Sequence, residues 1–203
     1  MGCLLFQQDN YLQSKGEWMK MTLIILDAGH GPNTPGKRSP DGKLREFQFN
    51  SAVAALVGDR LSREGIKVRY VHEASRDVPL NERTALANRL RADAYVSIHA
   101  NAHGNGWSEA HGIETYIYPQ ASKSSSVLAS LVQKNIITAC QRTDRGVKKA
   151  NFAVLRDTQM PAILVECGFM SNRTEALLLQ SKAYQLQCAR AITFGILCWV
   201  YTK

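Results

Sequence analysis

The chain has 203 residues, enough for one well-buried domain and short for two. Its apolar share of 45% is ordinary for a globular protein, and a charged share of 21% is too low to suggest disorder. The formal net charge of +8 favours an anionic partner, whether nucleic acid, an acidic polymer or a membrane face.

Taken in chain order, residues 1–20 read as an irregular extension and residues 21–203 as one folded domain. Leu4, Leu5 and Phe6 are followed at once by Gln7, Gln8, Asp9 and Asn10. That is too short an apolar core for a secretory signal, and Phe6 stands where a myristoylation motif needs Ser or Thr. From Thr22 to Leu26 a short apolar run reads as a buried strand that stops at Asp27-Ala28-Gly29-His30-Gly31. Pro32, Pro35, Gly36, Pro40 and Gly42 then make a long loop, which Glu46 closes.

Phe47 to Arg63 carries a helical stripe of Phe49, Val53, Leu56, Val57, Arg60 and Leu61, with Gly65 at its stop. Lys67 to His72 alternates like a strand, and Pro79 to Leu90 reads as a second helix. Ala94 to Ile98 is a strand ending at His99-Ala100-Asn101, and the Ile, Thr and Tyr of Gly112 to Tyr118 suggest another. A long helix over Ser122 to Gln141 and a short strand at Ala153 to Leu155 follow. Ala162 to Val165 is an apolar strand ending at Glu166-Cys167-Gly168, and helices near 173–180 and 182–201 close the chain. The last of these, apolar from Ala189 to Tyr201, is too short to span a bilayer and is interrupted by Arg190, Thr193 and Gly195. Strands alternating with helices predict an α/β fold: a single mixed, largely parallel sheet of about six strands with helices on both faces.

Three polar residues recur at strand ends: His30, His99 and Glu166. In open α/β sheets such ends gather on one edge, where ligands bind. With Glu46 they make two imidazoles and two carboxylates. A catalytic zinc takes three ligands of the His/His/carboxylate kind and leaves a fourth position for water, and a further carboxylate is needed to move the water's proton. Chemistry alone leaves open which glutamate ligates and which acts as base.

Other signals carry less. Gly31 to Lys37 fits the start of a phosphate-binding loop, but Arg38 replaces the required Ser or Thr, and Pro32 and Pro35 remove backbone donors. His99 and His103 are four apart, yet they lie at a strand end before Gly104 and Gly106, so they are expected to diverge. His72 and His111 read as structural or surface residues. The five cysteines, Cys3, Cys140, Cys167, Cys188 and Cys198, form no Cys-x-x-Cys, so neither a disulfide framework nor a thiolate zinc site is expected. Cys167 should point away from Glu166 on an extended segment.

Asp27-Ala28-Gly29-His30-Gly31, then Glu46, then Ser97-Ile98-His99-Ala100-Asn101-Ala102, then Val165-Glu166-Cys167-Gly168-Phe169-Met170-Ser171-Asn172 resembles the zinc-dependent N-acetylmuramoyl-L-alanine amidases of the Amidase_3 type. Leu80-Asn81-Glu82-Arg83 and Arg145-Gly146-Val147-Lys148 support the match, which runs in order from Thr22 to the C-terminus. The resemblance implies that His30, Glu46 and His99 hold Zn2+, that Glu166 is the general base and that Asn101 meets substrate. It also implies hydrolysis of the amide between N-acetylmuramic acid and L-alanine in bacterial peptidoglycan. The alternatives are a zinc peptidase acting on the stem peptide and a non-catalytic peptidoglycan-binding module.

The expected partner is therefore peptidoglycan, with no nucleic acid, no membrane insertion and a monomeric state. The expected place of action is the bacterial cell wall. It would be reached by cytoplasmic synthesis with release by lysis or through a pore, or the chain is a trimmed piece of a secreted enzyme. Relatives that carry an inserted plugging helix need more room than Tyr118 to Ser122 or Asn101 to Gly112 provides, so an open groove is expected, unless residues 1–20 fold back over it.

Overall fold

The computed structural model describes residues 22–202, so the expectations about residues 1–20 lie outside the described residues. Six strands form one sheet: β1 (Leu23–Ala28), β2 (Lys67–Tyr70), β3 (Ala94–Asn101), β4 (Ile113–Ile117), β5 (Asp144–Lys149) and β6 (Ala162–Phe169). Their order is β2-β1-β3-β6-β4-β5. All neighbours run parallel except β4 and β6, which are antiparallel, so the sheet is mixed and largely parallel as expected.

The two faces are covered unequally. Successive strand residues point to opposite sides. On one side Ile24, Leu26, Ala28, Val96, Ile98, Val165 and Cys167 pack into the larger apolar cluster. Three long helices cover it: α1 (Glu46–Arg63), α3 (Lys123–Cys140) and α6 (Lys182–Tyr201), with α5 (Arg173–Gln180) beside them. Their stripes include Phe49, Val53, Val57 and Leu61 of α1, and Leu128, Val132 and Ile136 of α3, all fully buried. Burying each such side chain stabilises the fold by about 1.5–3 kcal/mol.

On the other side Ile25, Tyr95, Ala162 and Leu164 form a smaller cluster with Ala87, Val154 and Leu155. Only α2 (Leu80–Arg89) and the single turn α4 (Ala153–Arg156) supply these helical partners. They cover the starts of the strands. The same face continues along the strands into Asp27, Ser97, His99 and Glu166, where polar residues replace apolar ones. The thinly covered end of this face is therefore where the chemistry can sit.

Two elements differ from expectation. Ala153–Leu155 is not a strand but the helical turn α4, closed by hydrogen bonds from Leu155 N–H and Arg156 N–H to the Phe152 carbonyl (3.0 and 2.9 Å). Three apolar residues are too few to separate one period from the other. The edge strand β5, Asp-Arg-Gly-Val-Lys-Lys, lacks an apolar alternation and is visible only through its pairing with β4. Among the described residues no helix is long and apolar enough to cross a membrane.

Candidate metal centre

Each strand-end residue is delivered by a local feature of its element. Gly29 N–H donates to the Ile98 carbonyl (3.0 Å), which carries the β1–β3 pairing one residue past the strand. A Cβ on Gly29 would lie 2.0 Å from His99 Cε1, so only glycine lets the His99 ring lie across the end of β1. His30 follows in the left-handed region at φ 66°, a conformation that costs a side-chain-bearing residue of order 1–3 kcal/mol.

Arg83 of α2 holds that turn. It is fully buried and commits all five N–H donors: Nε to the Val78 carbonyl (2.8 Å), Nη1 to Asp27 Oδ1 (2.7 Å) and the Ala28 carbonyl (2.8 Å), Nη2 to the His30 carbonyl (2.6 Å) and Asp77 Oδ1 (3.2 Å). The planar guanidinium thus locks the backbone on both sides of Gly29.

Glu46 is not in the loop but is the first residue of α1, where the helix dipole favours a carboxylate. Its Oε2 lies 3.1 Å from His30 Nε2 and its Oε1 2.9 Å from His99 Nδ1. One turn later, Asn50 donates to the Gly29 carbonyl (3.0 Å) and to Glu46 Oε1 (3.4 Å), tying helix to strand end. Burial pushes the Glu46 carboxyl up, but hydrogen bonds from His30 and His99 outweigh it and hold the carboxyl well below the usual range. Burial pushes His99 down, and the Glu46 carboxylate more than reverses that, so the His99 pKa is raised. Ligand atoms of His30, Glu46 and His99 all lie within 4.8 Å of one another, and this set can hold a metal ion. Ligand atoms about 2 Å from one ion stand about 3–3.5 Å apart at tetrahedral angles, a spacing close to the Glu46 contacts.

The tautomer of His99 is set from behind. Ser97, two residues back on the same strand face, donates its hydroxyl proton to Asp27 Oδ2 (2.6 Å). Its oxygen is then left to accept from His99 Nε2–H (3.1 Å), which turns Nδ1 toward Glu46 as the ring nitrogen that a metal ion could engage. Burial would raise the Asp27 carboxyl, yet Arg83 and the Ser97 hydrogen bond hold it below its ordinary value, so it remains an acceptor. Ser97→Ala is expected to weaken divalent-metal affinity roughly 10–100-fold. Competition with a chelating dye measures this, and unchanged affinity would mean that Ser97 does not control the ring.

Glu166 stands opposite His99 in the β3–β6 register, so their side chains share the open face. It is buried, and its Oε2 has no hydrogen-bond partner among the described residues. Burial pushes its carboxyl up to about 8, with His99 pulling in the opposite direction. Glu166, His30, His99 and Asn101 line one cavity of 710 Å³, with Lys37 and Phe152 also in its wall. Asn101 donates to Glu114 Oε1 (2.8 Å), an interaction sequence reasoning missed. The other histidines stand apart. His72 Nδ1 accepts from the Ala28 N–H (2.9 Å), and His103 and His111 are exposed in the loop after β3. Cys167 points into the larger core, away from Glu166. Residues 102–112 form no helix, so no plug arises there.

The fold and site together define an α/β protein with a metal-competent His/Glu/His centre and an orphaned carboxylate at the strand ends. The sequence profile of the N-acetylmuramoyl-L-alanine amidase family matches residues 24–198, and the chain belongs to that family. It is 37% identical over 174 residues to the uncharacterised protein YqiI of Bacillus subtilis, covering 85% of this chain and 82% of that one. It is 33% identical over 178 residues to the sporulation-specific N-acetylmuramoyl-L-alanine amidase of the same organism, covering 87% and 67%. The crystal structure of N-acetylmuramoyl-L-alanine amidase from Clostridium difficile 630 superposes with a TM-score of 0.86 at 36% identity, covering 91% of this chain and 99% of that one.

Proposed function

We propose that this chain hydrolyses the amide between N-acetylmuramic acid and L-alanine in bacterial peptidoglycan. His30, Glu46 and His99 would hold one zinc ion, and Glu166 would be the general base. The observation that carries this reading is the meeting, in one cavity of an amidase-family chain, of the three-ligand cluster and the unpartnered Glu166 oxygen.

The donor set fits zinc: two imidazoles and a carboxylate, with the ring of His99 admitted only because Gly29 lacks a side chain. Zinc bound there acidifies water and polarises the scissile carbonyl. The protein's own groups do the rest. Glu166 accepts the proton of the attacking water as its oxygen bonds to the carbonyl carbon. It then delivers that proton to the alanine nitrogen as the carbon–nitrogen bond breaks, which leaves a muramoyl carboxylate and a free amine. Asn101, which lines the same cavity, would meet the peptide. The net charge of +8 suits an anionic wall polymer, and the protein acts at the wall as a monomer without inserting into a membrane or binding nucleic acid.

Purified cell walls test this. They should lose turbidity and release peptides with N-terminal alanine, and a chelator should stop both. Release of new amino termini other than alanine would favour a peptidase, and binding without either change would favour a non-catalytic module.

A further inference from the structure

The floor of the cavity does not end at Glu166. Glu114 pairs with Glu166 and Tyr116 with Leu164 across the β4–β6 ladder, and Tyr116 pairs with Lys148 across β4–β5. Directly paired residues share a face. Leu164 and Glu166 line the cavity, so Glu114 and Tyr116 extend its floor by one strand and Lys148 by two. The Tyr116 ring packs edge-on against Phe152, itself part of the cavity wall, with ring centroids 5.2 Å apart.

Glu114 is the centre of this extension. Its side chain is 2% exposed and takes four donors: Asn101 Nδ2 (2.8 Å) and the Tyr116 hydroxyl (2.6 Å) on Oε1, Arg145 Nε (2.6 Å) and Lys148 Nζ on Oε2. Burial alone would raise this carboxyl, and the bonds from Lys148, Tyr116 and Arg145 hold it below its ordinary value. Asn101 also lines the cavity, so the cluster begins where the cavity wall ends.

One anion here meets two cations. The carboxylate is saturated and turned inward, whereas the Arg145 and Lys148 side chains are 35% and 36% exposed. The cluster therefore presents a surplus positive charge outward. The Arg145 guanidinium is braced at 4.9 Å over the Phe169 ring, which limits its motion. These cations converge on Glu114, about 5 Å from Glu166 at ordinary strand spacing, on the side away from His30 and Glu46.

Under the amidase reading, on which this step rests, Glu166 protonates the leaving alanine nitrogen, so the departing peptide lies on that side. One residue further along an extended peptide is about 3.5 Å. We infer that Arg145 and Lys148, held by Glu114 and Asn101, form a subsite for a free carboxylate on the stem-peptide residue that follows the alanine.

Two muramoyl peptides that differ only there, one with a free carboxylate and one with its carboxamide, test the inference. The unmodified protein should prefer the carboxylate by about tenfold in kcat/KM, mainly through KM, the scale of one hydrogen bond to a charged group. Added salt should shrink that preference. Lys148→Met should bring the ratio to within about twofold of one, and Lys148→Arg should keep most of it. Equal kcat/KM for the two substrates in the unmodified protein needs no variant to interpret and overturns the subsite alone. A preference that survives Lys148→Met in folded protein also overturns it. If neither peptide is cleaved, the amidase reading falls and takes the subsite with it.

Discussion

His99→Ala is expected to strip the metal. The unmodified protein should carry one zinc per chain, and the variant should retain a small fraction of that after dialysis, with wall hydrolysis lost in parallel. Affinity should fall by more than the roughly 10–100-fold typical of losing a group that merely orients a ligand. The reason is the number of donors: His30 and Glu46 alone leave two of the three protein ligands, filling only half the positions of a tetrahedral ion. The substitution also removes the partner of Glu46 Oε1 at 2.9 Å and the ring that fills the space over Gly29. Metal analysis by mass spectrometry decides the matter. Full zinc in folded His99→Ala would remove this residue from the coordination sphere and point to Glu166 as a ligand in its place.

The parts of the site that were legible in the sequence are those announced by a strand end. Apolar runs that stop at Gly29-His30, at His99 and at Glu166 mark the sheet edge, because a buried parallel strand reads as continuous hydrophobic text. Long amphipathic helices were equally plain, and α5 and α6 fall where the apolar spacing put them. Groups that depend on pairing between distant strands were not. Arg83 lies 56 residues from Asp27, and neither residue type reveals that its five donors will close around the His30 turn. Glu114 emerges only from the antiparallel register that sets it opposite Glu166. One signal was available: Ser97 and His99 are two apart on a strand, so they share a face, and a hydroxyl beside a candidate ligand is a natural orienting partner.

Glu166→Gln is expected to keep the zinc and lose the chemistry, with kcat reduced by roughly 10²–10⁴. The carboxamide is nearly the same shape, so the cavity and the three-ligand cluster should be undisturbed. What changes is that it cannot accept a proton. Burial pushes the Glu166 carboxyl up to about 8 even with His99 and Lys37 pulling it down, which leaves it mostly protonated at neutral pH and a poor base. A divalent ion among His30, Glu46 and His99 would favour the ionised form, because an adjacent positive charge stabilises a carboxylate. On the proposed reading the base would be armed only when the metal site is filled, so metal binding and proton transfer would belong to one device. The decisive comparison is metal content against turnover in the same preparation. Full zinc with near-normal kcat would sink the assignment and return the proton to Glu46. Loss of zinc together with activity would make Glu166 a ligand. Retained zinc with turnover lowered by at least two orders of magnitude is the result that a dedicated general base requires.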